Sequence, residues 1–99
     1  MARIVYIGDA VTATGYRLAG AETRVPPEGE AAGTIREVVR GEVDLVLLSP
    51  VLAQSLPEEE LAQVLTMQRP LVTLVPELFG GAHPPDLKRE VRAALGIEA

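Results

Sequence analysis

The sequence predicts a single α/β domain with a doubly wound, four-stranded parallel sheet in the order 2-1-3-4 and helices on both faces. The chain has 99 residues, which is the size of one domain. Short apolar runs alternate four times with segments of helical periodicity. Such alternation is typical of parallel strands joined by right-handed helical crossovers. We therefore expect one domain over residues 1–99, with a core over about residues 3–82 and a C-terminal helix over about residues 86–96.

The first half of the chain predicts two strand–helix units. Residues 3–8 form an apolar, β-branched run that ends at a glycine, as in a buried strand. A helix is expected to begin after Asp9 and to end at Gly20. The polar run 22–25 predicts a short edge strand before a second helix that ends at Gly41. The residues expected to face the core are Val11, Leu18 and Ala19 in the first helix and Ala31, Ile35, Val38 and Val39 in the second.

The second half repeats the pattern. Residues 44–49 are the most apolar run, which predicts a central strand, and a short turn after Pro50 leads to a third helix. That helix is expected to have Pro57 in its first turn and to face the core with Leu61, Val64 and Leu65. Residues 71–75 lie between two prolines and predict the fourth strand, and Asp86 can cap the last helix.

Composition argues against several classes of function. The chain has no cysteine, which removes disulfides, thiolate ligands and a cysteine nucleophile. Its formal net charge of −5 disfavours nucleic acid as a partner, because phosphate contacts supply most of that affinity. No apolar run approaches the roughly 20 residues of a membrane span, and the N-terminus lacks the order of a signal peptide. We expect a cytoplasmic protein without membrane insertion.

The predicted topology places any ligand or partner at one edge of the sheet. In the order 2-1-3-4 the switch point lies between strands one and three, next to residues 8–12 and 49–52. A dinucleotide site would need closely spaced glycines there, whereas Gly8 is followed only by Gly15 and Gly20. Asp9 would also place a negative charge where a phosphate binds. Nucleotide binding is therefore disfavoured.

A receiver-like topology raises a second possibility, a degenerate receiver-like regulatory or small-ligand-binding module. Phosphoryl acceptance would need an acidic pair after strand one and an aspartate after strand three. This chain has Asp9 alone, and Ser49 stands at the acceptor position. One carboxylate is a weak site for a hard cation. We expect Asp9 to cap the first helix through exposed backbone N–H groups instead, and Thr12 to tie the same turn or to face water.

The remaining candidates for chemistry have structural explanations. His83 is the sole histidine and has no ligand-type neighbours in its Gly/Pro-rich loop, so we expect no metal site, no cofactor and no catalytic residue. Phe79 follows strand four and either docks a partner or plugs the end of the sheet. Lys88, Arg89 and Arg92 make the last helix basic, either to compensate its dipole or to contact an acidic partner.

The segment after the first strand resembles the opening of the F subunit of the V/A-type (vacuolar/archaeal-type) ATPases. That family typically shows a strand ending in Gly-Asp, then Thr-x-Thr-Gly, an aromatic residue and Leu-x-Gly. Thr12, Thr14, Gly15, Tyr16, Leu18 and Gly20 stand in those places. Residues 44–49, 69–76 and 91–97 are similar to the later strands and the closing basic helix. The chain departs from the family pattern at Ala10 and Val11, where further acids are common, and at Glu77, where many members have serine.

The resemblance implies a non-catalytic rotor subunit. The F subunit of that family belongs to the central stalk of the ATPase or ATP synthase, binds the coiled-coil D subunit that forms the shaft beneath the catalytic A/B hexamer, and helps to couple or regulate ATP turnover and ion transport. It would be peripheral to the membrane as part of that complex. The positions of this chain that we expect to contact partners are Asp9, Thr12, Ser49, Leu52, Phe79, Lys88, Arg89 and Arg92.

Overall fold

A computed structural model describes residues 2–77 of the chain, and Met1 and residues 78–99 lie outside that part. That part contains four strands and four helices, with one helix after each of the first two strands and two helices between the third and the fourth strand. The strands are β1 (Ile4–Ile7), β2 (Glu22–Arg24), β3 (Leu45–Leu48) and β4 (Leu71–Leu74). The helices are α1 (Ala10–Leu18), α2 (Ala31–Val39), α3 (Pro50–Ala53) and α4 (Glu58–Leu65). The predicted turn after Pro50 is thus the short helix α3. The predicted C-terminal helix lies outside the described residues.

The four strands form one parallel sheet in the order β2-β1-β3-β4, which confirms the predicted topology. Ile7 is aligned with Arg24 on one side and with Leu48 on the other, and Leu48 is aligned with Leu74. The last residues of all four strands therefore lie in one row. This row defines the edge of the sheet where the strands end.

Each face of the sheet packs against its own apolar cluster. On one face Val5 and Ile7 of β1 join Val46 and Leu48 of β3 and the buried Ile35 of α2. On the opposite face are Tyr6 and Leu47, together with residues of α1. Successive residues of a strand point to opposite faces, so both central strands are buried on both sides. This arrangement confirms helices on both faces of the sheet.

The predicted inward face of α1 is correct only for Ala19, which is partly buried against the apolar cluster of that face. Val11 and Leu18 are 50% and 66% exposed, whereas Thr12, Ala13, Gly15 and Tyr16 are buried. The reason is the aromatic pair beneath the helix, because the rings of Tyr6 and Tyr16 stack with centroids 4.6 Å apart. Burying a tyrosine ring removes more apolar surface from water than burying Val11 or Leu18. The stack therefore sets the rotation of α1.

The predicted inner stripe of α4 is correct only in part. Val64 is buried and Leu61 is partly buried, but Leu65 is 36% exposed. Leu65 follows Val64 by one residue, and a helix turns about 100° per residue, so the two side chains cannot point in the same direction. The helix ends there with its last apolar residue at the margin of the core.

Gly8 is required by the ring of Tyr6. A Cβ atom built on Gly8 would overlap the hydroxyl oxygen and Cζ of Tyr6, and that ring is fully buried. We expect Gly8→Ala to lower the free energy of unfolding by about 1–3 kcal/mol, because the core must shift to admit the methyl group. Urea denaturation measures the change.

Gly33 provides the matched control. It lies in α2, and a Cβ there would meet no atom within 4 Å. Gly33→Ala is expected to raise the free energy of unfolding by about 0.5–1 kcal/mol, since alanine is the better helix former. Equal effects of the two substitutions would contradict this account of Gly8.

Tyr16 presents a second test of the core. Its hydroxyl is buried and finds no hydrogen-bond partner among the described residues. An unsatisfied buried hydroxyl costs about 1–3 kcal/mol, so Tyr16→Phe should leave the free energy of unfolding unchanged or raise it. Tyr6→Phe should lower it, because that hydroxyl donates to Asp9. A clear loss of stability in Tyr16→Phe, measured by urea denaturation, would show that the hydroxyl is hydrogen-bonded.

Candidate docking site at the carboxyl edge of the sheet

Backbone hydrogen bonds extend the sheet one residue beyond the strands. The amide of Gly8 donates to the carbonyl of Arg24 at 3.2 Å, and the amide of Ser49 donates to the carbonyl of Ile7 at 2.9 Å. The amide of Val75 donates to the carbonyl of Leu48 at 3.0 Å. We call the surface that follows, formed by residues 8–11, 25–30, 49–52 and 75–77, the carboxyl edge. The base of the carboxyl edge is therefore part of the hydrogen-bonded sheet.

Asp9 caps α1, which confirms the structural role predicted for it. Its Oδ2 accepts a hydrogen bond from the amide of Thr12 at 2.9 Å, and its Oδ1 accepts one from the hydroxyl of Tyr6 at 3.1 Å. Burial alone would raise the pKa of this carboxyl, but hydrogen bonds from Thr12 and Tyr6 outweigh it and lower the pKa below its usual value. Asp9 is therefore an ionised acceptor that fixes the turn between β1 and α1.

Tyr6 supports that turn from below. Its side chain is fully buried, and burial, followed by the negative charge of Asp9, raises the pKa of its hydroxyl. The hydroxyl therefore stays protonated and acts as a hydrogen-bond donor at physiological pH. It is unsuited to act as a nucleophile or a general base. Tyr6 is thus part of the framework of the carboxyl edge.

Thr12 and Ser49 are placed under the surface of the carboxyl edge. Both are fully buried, although the sequence suggested that they contact partners. The Ser49 hydroxyl donates to Oε1 of Glu77 at 3.1 Å, which joins the connection after β3 to the segment after β4. Both residues can influence a partner by positioning the surface. Direct contact through their side chains would require them to become exposed.

Three valines form the exposed apolar part of the carboxyl edge. Val11 is 50% exposed, Val25 45% and Val51 58%, and they follow β1, β2 and β3 respectively. Leu52, the fourth partner-contact candidate in this part of the chain, is only partly exposed. Val51 lies within the predicted loop 49–52 but was not singled out there, whereas Val11 was assigned to the core and Val25 to a strand. The available signal was an apolar residue shortly after each of three strands, where connections are usually polar.

The charges of the carboxyl edge are all negative. Its acidic residues are Asp9, Glu28, Glu30 and Glu77, and its four segments contain neither lysine nor arginine. The nearest arginine, Arg24 at the end of β2, pairs with Glu37 of α2 at 3.1 Å. A shallow groove of about 580 Å³ is lined by this pair and, among others, by Val25, Pro26 and Glu30. An approaching ligand therefore meets carboxylates, apolar side chains and an arginine that is already paired with Glu37.

This arrangement offers little for a reaction. Within residues 2–77, no group of three or more histidine, cysteine or acidic side chains is placed to hold a metal ion. The Asp9 carboxylate accepts hydrogen bonds from Thr12 and Tyr6, and Ser49 donates to the Glu77 carboxylate, a weaker base than the histidine that commonly activates a serine. The helices of this part of the chain are also too short or too polar to cross a membrane.

Half of the predicted partner-contact residues are outside the described part of the chain. They are Phe79, Lys88, Arg89 and Arg92. Their proposed roles stay predictions from the sequence.

Comparisons with known proteins point to one family. The model of the family described as ATP synthase (F/14-kDa) subunit matches residues 4–93. The F subunit of the A-type ATP synthase of Pyrococcus furiosus is 32% identical to this chain over an alignment of 107 residues. The alignment covers 97% of this chain and 96% of the relative. The F subunit of the A-type ATP synthase of Pyrococcus abyssi is 34% identical over 104 residues, with the same coverage of both chains. The similarity extends over nearly the whole length of each chain.

The capping role of Asp9 predicts how stability depends on pH. Removing the cap by Asp9→Ala should lower the free energy of unfolding at neutral pH by about 1 kcal/mol. Because the folded-state pKa of Asp9 is lowered, its contribution is fully present above the unfolded-state pKa of about 3.9 and is lost as pH falls through the folded-state value. The free energies of unfolding of the original protein and of Asp9→Ala should therefore approach each other as the pH falls, and urea denaturation of both proteins from neutral to acidic pH measures this change.

Asp9→Asn is the control, because asparagine caps helices well but does not titrate. Its free energy of unfolding should therefore exceed that of Asp9→Ala by an amount that does not change with pH. A difference between Asp9→Ala and the original protein that stays constant with pH would contradict the assignment of a charged cap.

Proposed function

Because the chain belongs to the family of ATP synthase F subunits, we propose that it is a non-catalytic central-stalk subunit of a V/A-type rotary ATPase or ATP synthase. It binds the coiled-coil D subunit of the shaft and helps to couple or regulate ATP turnover and proton or sodium transport. The observation that supports this best is the match over residues 4–93. The complex holds the chain at the cytoplasmic side of the membrane, beneath the catalytic A/B hexamer.

The carboxyl edge is the proposed docking surface. Its base is fixed by the sheet hydrogen bonds and by the Asp9 cap, so little ordering entropy is lost on binding. Asp9 and Leu52 lie at this edge, with Thr12 and Ser49 beneath it. Such a surface combines a small apolar centre with a polar rim, which is the usual composition of a protein–protein interface.

The segment after residue 77 is proposed to contribute a second contact. The sequence predicts a helix over residues 86–96, with Lys88, Arg89 and Arg92 on its outer side. We propose that this helix lies along the shaft, and that Phe79 docks near the carboxyl edge. The basic residues then meet acidic groups of the shaft or of the hexamer.

A degenerate receiver-like or small-ligand-binding module is the alternative function. It would use the same edge, and it predicts a shift of the melting temperature on addition of Mg²⁺ with a phosphodonor mimic. The contacts of this edge argue against it, because Asp9 is engaged as a cap and Ser49 occupies the acceptor position. The rotor subunit predicts no such shift.

Co-expression with the shaft subunit of the same genome tests the proposal. We expect a complex that survives size-exclusion chromatography at micromolar concentration, with one copy of each chain by light scattering. Gln63→Ala, which alters an exposed position of α4 outside the segments of the carboxyl edge and outside the groove beside Val25, should form the same complex. Failure of the original chain to co-purify, together with a melting shift by Mg²⁺ and the phosphodonor mimic, would favour the alternative.

A further inference from the structure

The carboxyl edge combines exposed valines with a single sign of charge, and this combination specifies the kind of partner. We propose that the edge recognises a basic amphipathic helix of a partner subunit, whose apolar stripe covers Val11, Val25 and Val51 and whose lysines or arginines meet the surrounding carboxylates. This inference rests on the proposed function, because it assumes that another subunit covers this surface. The valines and carboxylates of the carboxyl edge would then determine which partner surface can bind.

The apolar contribution comes from three neighbouring strands. The order β2-β1-β3 brings the connections that contain Val25, Val11 and Val51 to adjacent positions. Neighbouring strands lie about 4.8 Å apart, so the ends of four strands span roughly 14 Å. A helix rises about 5.4 Å per turn. About three turns of one helix therefore cover this row, and the groove beside Val25 provides room for its side chains.

The signs of the charges distinguish the carboxyl edge from the opposite edge, where the four parallel strands begin. Large exposed apolar residues occur there too, namely Leu18 and Leu71, which are 66% and 58% exposed. However, the connections at the opposite edge mix Arg40 and Arg69 with Glu42 and Asp44. At the carboxyl edge the acids Glu28, Glu30 and Glu77 have no basic neighbour within its segments. Uniform negative charge attracts a basic partner and repels an acidic one.

A second potential occupant is the chain's own segment 86–96, which is also basic and partly apolar. It is tethered to the carboxyl edge by residues 78–85, so its effective concentration there is high. Membership of this ATP synthase family places the chain in a complex of several subunits, which favours an external partner. The experiment must therefore distinguish the two occupants in the full-length chain.

The absence of cysteine from the chain makes thiol labelling a clean test. Val51→Cys reports on the carboxyl edge, and Leu71→Cys reports on the opposite edge with the same exposure of 58%. The rate of reaction with a maleimide is measured for each full-length variant, alone and with the cognate shaft subunit. We expect both thiols to react rapidly in the isolated chain. The shaft subunit should slow Val51→Cys by at least about 10-fold and leave Leu71→Cys unchanged.

Charge reversal tests the basic character of the partner. Glu28→Lys combined with Glu30→Lys should weaken the complex by at least about 10-fold, while Glu42→Lys at the opposite edge should not. The affinity of the original chain should also fall between about 0.05 M and 0.5 M salt, and the fall should be smaller for the double variant. Titration calorimetry with the shaft subunit gives both quantities. Unchanged affinity of the double variant would overturn the proposal.

The remaining outcomes are separable. Slow labelling of Val51→Cys in the isolated chain would assign the edge to the chain's own segment 86–96 and overturn the proposal. Protection of Leu71→Cys alone, or of neither thiol, in a complex that forms normally would overturn it while the proposed function stands. Failure of the original chain to bind the shaft subunit would overturn both.

Discussion

The packing of Tyr6 beneath the turn at Gly8 and Asp9 is the constraint on which the rest of the structure depends. The buried ring leaves no space for a side chain at Gly8, its hydroxyl donates to Asp9, and its face stacks on Tyr16. One side chain therefore links strand β1, the first turn of α1 and one face of the sheet. The rotation of α1 follows from this stack, and with it the exposure of Val11 at the carboxyl edge.

Hydrogen bonds at the ends of the strands hold the segments of the carboxyl edge in place. The hydrogen bonds from Gly8, Ser49 and Val75 continue the sheet beyond its strands, and the Ser49–Glu77 contact joins two further segments. Groups that could have served chemistry are instead used for structure: Asp9 caps a helix and Ser49 lies buried. Valine and glutamate side chains are among those that remain exposed. Such a surface suits the proposed docking role, because protein–protein interfaces combine apolar contact with complementary charge.

The sequence predicted the strands, their order and the cap at Asp9, because apolar runs and helix-start signals are local. It could not predict the rotation of α1, since that depends on Tyr6 and Tyr16 meeting across ten residues of chain. For the same reason it placed Val11 inside, whereas the structure exposes it, and it left open whether Thr12 ties the turn or faces water, whereas the structure buries Thr12. The predicted topology pointed to this edge as the place for a partner, which stays a prediction, but it did not show which side chains there reach the surface.

Hydrogen exchange of the backbone amides, in the isolated chain and in its complex with the shaft subunit, tests most directly whether the carboxyl edge is a preformed docking surface. The amides of Gly8 and Thr12 should be protected already in the isolated chain, because each donates to a defined acceptor. Complex formation should slow exchange in residues 25–30 and 50–52. Unprotected amides at Gly8 and Thr12 in the isolated chain, or slowing confined to other parts of the chain, would contradict the account.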